Sequence, residues 1–462
     1  MVLELALAVK GLKENGNITS DSYSKSTIIN DHLTSIFIND NSNLPDLGIS
    51  PYPHLPHITV SRPGVFKLLS TLNPNKASGP DDLSAKLIST LANELTPAIT
   101  SLFQQSFDSG IFPTKFKEAN ITPIHKKGPK SNKENYRPIS LTNILSKSFE
   151  HIFASNLMKH LEHNNILTDF QHGFRKSRST VSQLLTTCHD LAIGLNQNTQ
   201  TDGILLDFSK AFDRVSHKRL LHKLNFYGVR DRNLEWAKSF LSDRLQRVVI
   251  DGVPSSYSNV ISGVPQGTVL GPIFFLCFIN DLPDPLSSNI RLFADDAFLY
   301  RQIHSIADHK ILQHDLDLLS KWSSDWLLDF NSSKCFVLST TLKTKPSNFS
   351  YKLNNVILDN VKNHPYLGVI LDNKLTFTPH INHTAAKATK SLNFLSRNIS
   401  HCPPSIKNAA YNIYMSAPNW SMPHLFGHHL PKLTKPNLKK FNIELAASLL
   451  KITIGEKAHQ LT

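Results

Sequence analysis

The chain has 462 residues, of which 40% are hydrophobic and 26 are phenylalanine. This length and apolar content exclude a disordered chain and predict a large core divided into about two to four lobes. Lysine and arginine exceed aspartate and glutamate by 13. Such a balance favours a polyanionic partner, either nucleic acid or an anionic membrane surface, although a merely soluble basic protein can have the same charge.

The cysteines and the apolar runs narrow the class of protein further. The four cysteines have no paired spacing and predict neither a zinc site nor a disulfide framework, as is typical of a reducing compartment. The opening segment lacks a basic region and is interrupted by Glu4, so we expect no targeting signal. The longest apolar run, residues 269–279, is too short to span a bilayer. We therefore expect a soluble chain of the nucleus or cytoplasm.

The hydrophobic periodicity predicts mixed helices and strands. Residues 1–60 are polar and predict a leader or linker with one amphipathic helix at about residues 26–38. Further helices are predicted from about residue 83, at 99–107, 144–161 and 181–195, from near residue 213, and at 273–279, 306–326 and 379–397. Strands are predicted at 119–124, 204–206, 248–250, 290–292, 298–300, 351–353, 356–358 and 366–371.

Two adjacent carboxylates, Asp295 and Asp296, lie between apolar runs that begin at Ile290 and end at Tyr300. The β-branched, aliphatic and aromatic residues of these runs predict two short strands, with Ala-Asp-Asp as the tight turn of a hairpin. Aspartate is also a common turn residue, so a hairpin tip does not by itself require a catalytic role.

A third acid, Asp207, directly follows the apolar strand 204–206. An acid in this position must be solvated, paired or bound to metal, and the carboxyl ends of strands are where active sites of α/β sheets gather. Phe212 either walls the same cleft or packs in the core. The glycine-rich turn 262–272 lets the backbone approach a base or sugar, which Gln266 can hydrogen-bond.

Two basic stretches suit phosphate groups. Lys126, Lys127 and Arg137 lie in and beside a turn between strands and could wrap a triphosphate, although charged turns are more often only solvated. Residues 175–178 carry cations beside Ser and Thr hydroxyls at a helix start, where they suit contacts to a phosphate backbone. The alternative for the second stretch is an ordinary helix cap. Near the end of the chain, His424, His428 and His429 lack the further ligands that a zinc site needs.

Seven motifs in unbroken order resemble the reverse transcriptase of non-long-terminal-repeat, jockey-like retrotransposons. The resemblance covers about residues 70–375. The matching stretches are NKASGPD at 75–81, NYRPIS at 135–140, QHGFRK at 171–176, LDFSKAFD at 206–213, GVPQG at 263–267, FADD at 293–296 and YLG at 366–368.

The resemblance implies an α+β fold of the right-hand polymerase type, with an antiparallel palm sheet packed on helices. It implies a leader remnant at residues 1–60, fingers with an N-terminal extension at 61–200, and a palm at 201–340. The primer-grip region and the start of a partial thumb are expected at 341–400, and a truncated, degraded region at 401–462. The implied partners are an RNA template, a DNA primer, deoxynucleoside triphosphates and the element's own RNA, without a membrane.

The resemblance also implies roles for individual residues. Asp207, Asp295 and Asp296 match the carboxylates that hold two Mg²⁺ ions, with Mn²⁺ as a substitute, for phosphoryl transfer. Lys334 resembles the lysine that protonates the pyrophosphate leaving group. The implied substrate-binding residues are Lys126, Arg137, Phe208, Phe212, Gln266 and Gly267. Among them, Phe212 matches the gate that excludes a 2′-hydroxyl. The implied nucleic-acid-binding residues are Arg175, Lys176, Arg178, Tyr366, Leu367 and Gly368.

Some features depart from the family pattern. Residues 1–60 contain no nuclease constellation, and the post-thumb pattern is degraded around residues 414–420, so we expect a fragment or truncated copy. Two alternatives to an active polymerase remain open, a catalytically idle nucleic-acid-binding remnant and a structural module on the same fold.

Overall fold

A computed structural model describes residues 9, 11–14, 16–403, 405, 406 and 409. Within them the helices are α1 (Ser22–Thr34), α2 (Arg62–Ser70), α3 (Ala85–Thr90), α4 (Ala92–Ser109), α5 (Ile144–His163), α6 (Thr180–Asn196), α7 (His217–Phe226), α8 (Asp231–Leu241), α9 (Leu270–Ile279), α10 (Ile306–Trp326) and α11 (Thr378–Asn398).

The strands interleave with these helices. They are β1 (Leu12–Glu14), β2 (Asn17–Thr19), β3 (Glu118–His125), β4 (Tyr136–Leu141), β5 (Gln200–Leu206), β6 (Arg244–Ile250), β7 (Val253–Pro254), β8 (Ser258–Val260), β9 (Asn289–Phe293), β10 (Asp296–Ile303), β11 (Phe336–Thr340), β12 (Lys352–Leu353), β13 (Val356–Ile357), β14 (Asp359–Asn360), β15 (Asn363–Tyr366) and β16 (Val369–Asp372).

The main sheet has the strand order β14-β11-β5-β10-β9. Its pairs are antiparallel, except that β14 runs parallel to β11. Every residue of the central strand β5 is buried, because its neighbours β10 and β11 flank it on both edges and helices cover the sheet. Gly203 on β5 is required for this packing, since a Cβ atom there would lie 2.4 Å from the ring of Phe298 on β10. The fold class is therefore mixed helix and sheet, as expected.

A second sheet has the order β4-β3-β6-β7, with β8 also paired to β6. Strands β3 and β6 run parallel, so residues 244–260 belong to the same sheet as residues 118–141. Helix α1 packs on this sheet through Ile28, Ile29 and Leu33, which join a buried cluster with Ile121 and Val248. Residues 22–34 are thus part of the core, whereas the sequence predicts a helix here within a leader or linker that lies outside the folded domains.

Several predicted elements have different bounds in the structure. Helix α1 lies four residues before the predicted 26–38, because Asp21 accepts a hydrogen bond from Ser24 N at 2.7 Å and caps it. The helix expected near Asp213 begins only at His217, after Ser216 caps it. The predicted strand 366–371 is a hairpin of β15 and β16 with residues 367–368 as its turn. The helix predicted at 306–326 has those bounds as α10.

None of the described helices is long and apolar enough to cross a membrane. The stretch 414–420 and the histidines His424, His428 and His429 lie outside the described residues.

Candidate active site

The main sheet brings the three predicted acids to one of its ends. On β10 and β9, Asp296 pairs with Phe293, which leaves Ala294 and Asp295 as a two-residue turn. The sequence predicts the hairpin but assigns Asp296 to the turn, whereas Asp296 is the first residue of β10. On β10 and β5, Ala297 pairs with Leu206. The next residues outward are therefore Asp296 on one strand and Asp207 on the other. Asp207 is therefore brought to the same end of the sheet as the adjacent pair Asp295 and Asp296, which lies almost 90 residues later in the chain.

The carboxylates affect one another. Burial raises the pKa of Asp295, and the nearby Asp207 raises it further. Burial raises the pKa of Asp296 to about 6, with Asp295 and Asp207 as additional causes. Crowded acids that resist ionisation are a sign of a functional site and create a need for positive charge nearby.

Cationic side chains from two other segments supply part of that charge. Lys126 follows β3 and Arg137 lies on β4, and both lower the pKa values of Asp295 and Asp296 by their charge. The pKa of Lys126 is itself lowered by burial and by the neighbouring charges of Arg137 and Lys334. The Lys334 Nζ atom lies 3.2 Å from the Asp207 Oδ2 atom. The structure therefore brings these three predicted cations around the acids.

The backbone of Asp207 is fixed by the segment that precedes β11. Asn331 N donates to the Asp207 carbonyl at 2.7 Å, and the Asp207 N–H points to the Cys335 Sγ atom at 3.5 Å. Because both contacts are made by the segment that carries Lys334, the acid and the lysine keep a fixed relation.

Phe212 and the glycine-rich turn of residues 262–272 are hydrogen-bonded to each other, and the two together are called the wall. Phe212 stacks on Phe275 with ring centroids 4.5 Å apart, and Val264 N donates to the Phe212 carbonyl at 2.7 Å. Gln266 connects this wall to β4, since Ser140 N donates to its carbonyl at 2.7 Å. Gly267 has a φ of 99°, and a Cβ atom there would lie 2.9 Å from the Ser140 carbonyl oxygen.

Asp213 is a site residue that the sequence does not single out. Its Oδ1 atom accepts a hydrogen bond from Gln266 Nε2 at 3.1 Å and so orients the amide of Gln266. Burial raises the pKa of Asp213 to about 6. The sequence feature that could have indicated this role is the position of Asp213 at the end of the LDFSKAFD motif.

Phe208 does not line the cleft, contrary to its predicted role in substrate binding. Its side chain is 4% exposed and stacks on Phe330 with ring centroids 4.3 Å apart. Successive side chains of an extended segment point to opposite faces, so Phe208 turns into the core when Asp207 faces the cleft.

The two predicted phosphate-binding arginines are committed to the protein backbone. Arg175 Nη1 donates to the Thr168 carbonyl at 2.8 Å. Arg178 Nη1 donates to the Asp169 carbonyl at 2.5 Å, and its Nη2 atom lies 2.5 Å from the Asp169 carboxylate. These contacts occupy the guanidinium groups within the protein, and the contact of either arginine with phosphate stays a prediction. Lys176 between them is exposed and remains a candidate contact.

The predicted primer-grip residues divide in a similar way. Tyr366 is buried against Phe298, with ring centroids 5.4 Å apart, and its hydroxyl accepts from Gln183 Nε2 at 3.3 Å. Its side chain therefore cannot contact nucleic acid as predicted. Leu367 and Gly368 form the tip of the β15–β16 hairpin, and Gly368 is exposed.

Gln171 is the second residue whose role the sequence does not show. Its Oε1 atom accepts from Ala294 N at 2.9 Å, and its Nε2 atom donates to the Ala294 carbonyl at 3.2 Å. It therefore contacts the turn between the acid-bearing strands. The only sequence signal was its place in the QHGFRK motif, which predicts nucleic-acid contacts.

The donor set at the end of the sheet suits a hard divalent cation. Among the described residues, no group of three or more His, Cys, Asp or Glu side chains is placed to hold a metal ion by itself. Converging carboxylates with raised pKa values are nevertheless the oxygen ligands that Mg²⁺ prefers, and that ion usually takes its other ligands from water and substrate phosphates.

Known proteins with similar sequences agree with this geometry. Residues 124–371 match the family described as reverse transcriptase (RNA-dependent DNA polymerase), whose domains generally use divalent metal ions. The chain is 31% identical over 376 residues to the probable RNA-directed DNA polymerase from transposon BS of Drosophila melanogaster, covering 77% of this chain and 41% of that protein. It is 32% identical over 337 residues to the RNA-directed DNA polymerase from mobile element jockey of the same organism, covering 71% and 37%.

More distant similarity reaches another group of elements. The chain is 25% identical over 280 residues to the Pol polyprotein of the type-1 retrotransposable element R2 of Popillia japonica, covering 56% of this chain and 38% of that protein. The chain spans about two fifths of the length of the first two relatives. The matched domain includes the cleft and its three acids, and the chain belongs to the reverse transcriptase family, with its similarity directed to jockey-like non-LTR retrotransposons.

Proposed function

We propose that this chain is an RNA-directed DNA polymerase that adds deoxynucleotides to a primer 3′-hydroxyl. The observation that carries the proposal is the convergence of Asp207, Asp295 and Asp296 at one end of a sheet, opposite Lys126 and Arg137. Phosphoryl transfer needs this combination, because its transition state carries charge on several phosphate oxygens and is stabilised mainly by positioning and electrostatics.

The cofactor is proposed to be two Mg²⁺ ions, with Mn²⁺ as a substitute, held by the three carboxylates. When bound, divalent ions lower the pKa of the attacking hydroxyl and stabilise charge on the transferred phosphoryl group. The ionised carboxylates repel one another, and this repulsion helps to raise their pKa values. A bound cation would relieve the repulsion and so favour the ionised forms.

The cations of the cleft are proposed to handle the triphosphate and the leaving group. Arg137 can hold phosphate oxygens through two parallel hydrogen bonds, and Lys126 adds a mobile positive charge beside it. Lys334 already contacts Asp207 and can move its ammonium toward the pyrophosphate, to which it would donate a proton.

The wall of the cleft is proposed to select the sugar and the base pair. Phe212 lies on a rigid aromatic support and would exclude a ribose 2′-hydroxyl by its bulk. Gln266 would hydrogen-bond the nucleotide or template edge, and its amide is oriented by Asp213. Gly267 allows the backbone to approach the nucleotide closely.

The right-hand division is part of the proposal. Residues 61–200 would form the fingers with an N-terminal extension, 201–340 the palm, and 341–400 the primer grip and the start of a thumb. The pairing of residues 244–260 with β3 supports adding that segment to the fingers sheet. Primer and RNA template would lie between Lys176, the Leu367–Gly368 turn and helix α11, contacted through phosphates and groove shape.

Primer extension tests the proposal. The purified chain is incubated with a DNA primer on an RNA template, dNTPs and Mg²⁺, beside an Asp295→Ala variant. We expect DNA product from the unaltered chain and none from the variant, with primer–template binding equal in both. A chain that binds primer–template and gives no product under Mg²⁺ or Mn²⁺ would instead be an idle binding remnant.

A further inference from the structure

The loop before α6 packs directly on the hairpin that carries Asp295 and Asp296. Leu292 N donates to the Phe170 carbonyl and His172 N donates to the Leu292 carbonyl, both at 2.9 Å. The loop thus adds one rung to β9 on the edge of the sheet. Gln171 lies between these two backbone contacts and is only 3% exposed. Its side chain points toward the turn between β9 and β10.

The Gln171 side-chain amide makes the two hydrogen bonds to the Ala294 backbone that a neighbouring strand would otherwise make. It accepts from the Ala294 N–H and donates to the Ala294 carbonyl, and its oxygen also accepts from Gly173 N at 2.7 Å. Ala294 has a φ of 54°, a left-handed conformation that residues with a side chain seldom adopt. Such a conformation persists where the surroundings fix it, and here the Gln171 amide satisfies both polar groups of the residue.

Gly173 permits the close approach of loop and turn. A Cβ atom at this position would lie 2.3 Å from Ala294 N and 3.1 Å from its Cα atom. Any larger residue would therefore push the turn away from the loop.

Arg175 of the QHGFRK motif and Arg178, two residues after the motif, hold the part of the loop that precedes Gln171. Arg175 and Arg178 donate to the carbonyls of Thr168 and Asp169, the residues that lead into Gln171. The cationic motif is therefore used inside the protein to fix a loop whose central residue holds the acid-bearing turn.

We propose that Gln171 is a positioning residue for the metal-binding carboxylates of Asp295 and Asp296, acting through the backbone of Ala294. The inference rests on the proposed polymerase function. Asp295 directly follows Ala294, so a rotation of that peptide moves both carboxylates relative to Asp207. Because small displacements of catalytic groups have large effects on rate, loosening the turn weakens metal binding without touching the nucleic acid.

Mn²⁺ binding, measured on the full chain by the loss of the free-ion electron paramagnetic resonance signal, provides a test without catalysis. Gln171→Leu removes the amide at similar volume, and Asp295→Ala marks loss of the site. The matched control is Gln104→Leu, because Gln104 on α4 likewise accepts from Val60 N at 2.8 Å and donates to the Ile58 carbonyl at 3.3 Å. Gly173→Ala is the second variant, since it displaces the turn while keeping the amide.

We expect Gln171→Leu and Gly173→Ala to raise the Mn²⁺ concentration for half-saturation by about fivefold or more, as befits lost contacts to buried backbone groups. The Mg²⁺ concentration that primer extension requires should rise in parallel, while both variants should keep the primer–template affinity of the unaltered chain. The Gln104→Leu control should match the unaltered chain in Mn²⁺ binding, Mg²⁺ requirement and primer–template affinity. Unchanged Mn²⁺ binding in folded Gln171→Leu overturns the positioning role. If that variant does not fold, Gly173→Ala decides, weaker binding supporting the role and unchanged binding overturning it.

The two proposals fail separately. Absence of primer extension by the unaltered chain counts against the polymerase function, whereas the Mn²⁺ measurement still judges the role of Gln171 at the carboxylates.

Discussion

Two two-residue hairpin turns of this chain each begin with a left-handed residue, and their surroundings are opposite. In the β9–β10 turn Ala294 has a φ of 54°, and in the β15–β16 turn Leu367 has a φ of 46° and Gly368 of 87°. The first turn is enclosed by the Gln171 loop. The second is open, since a Cβ atom on Gly368 would meet no atom within 4 Å. The protein itself fixes the turn that carries acids and leaves the other turn open, which is where we propose that the duplex is contacted.

The largest expected effect is a loss of catalytic rate when an acid of the enclosed turn is replaced. Asp296→Asn should lower the rate of single-turnover primer extension by about a thousandfold or more, because it removes a proposed metal ligand worth several kcal/mol in the transition state. Primer–template affinity, measured by fluorescence anisotropy, should stay unchanged. Asp317→Asn on the exposed side of α10 is the control for loss of one acidic charge. Equal losses of rate and affinity would mean that the acid hairpin also binds the duplex.

A change at the open turn should have the opposite signature. Gly368→Val places a branched residue at a φ that it adopts only under strain, and should weaken primer–template binding by about tenfold while complexes that form react at the normal rate. Gly252→Val is a matched control, since Gly252 has a φ of 80° and is equally open. Similar losses of binding in both variants would contradict a duplex contact at Gly368.

The acid hairpin should also respond to pH through its crowded carboxylates. Because the folded-state pKa of Asp296 is about 6, above its ordinary value, protonation stabilises the metal-free fold, and this stabilisation is lost as pH rises through 6. Mg²⁺ should therefore raise the melting temperature more at pH 8 than at pH 5.5, measured by differential scanning fluorimetry. Asp296→Asn should reduce this pH dependence. A Mg²⁺ effect of equal size at both pH values would place the ion elsewhere.

The smallest expected effect concerns the turn residue itself. Ala294→Gly relieves the left-handed conformation but adds freedom to the unfolded chain, and these terms are of similar size. Because Gln171 holds the backbone groups of this residue, extension rate should stay within about threefold of the unaltered chain. A much larger loss would show that the alanine side chain, rather than Gln171, fixes the turn.

The acids and the hairpin could be predicted from sequence because their signals are local. Apolar runs beside Asp207 and beside the Asp295–Asp296 pair predict the strands and the turn. The order of the motifs indicates that the three acids belong to one site. The alternation of side chains along an extended segment would by itself predict that Phe208 points into the core, because it follows an acid that points the other way. For these positions, two-residue periodicity and turn chemistry contain most of the information.

The supporting contacts could not be predicted because their partners are distant in the chain. Gln171 reaches a turn 123 residues later, and the strand that α1 covers begins at Arg244. Arg175 and Arg178 donate to backbone carbonyls, which no side-chain pattern marks, and Arg178 also contacts the Asp169 carboxylate. A basic stretch that suits phosphate in sequence was therefore used to fix a loop.

Asp207 follows a different strand, β5, and is proposed to complete the site formed by the acid hairpin. The most direct measurement is single-turnover primer extension on a bound RNA template by Asp207→Asn, with primer–template affinity determined in the same preparation. We predict a rate loss as large as that of Asp296→Asn, about a thousandfold or more, with affinity retained. A rate within about tenfold of the unaltered chain would contradict a shared site and separate Asp207 from the chemistry.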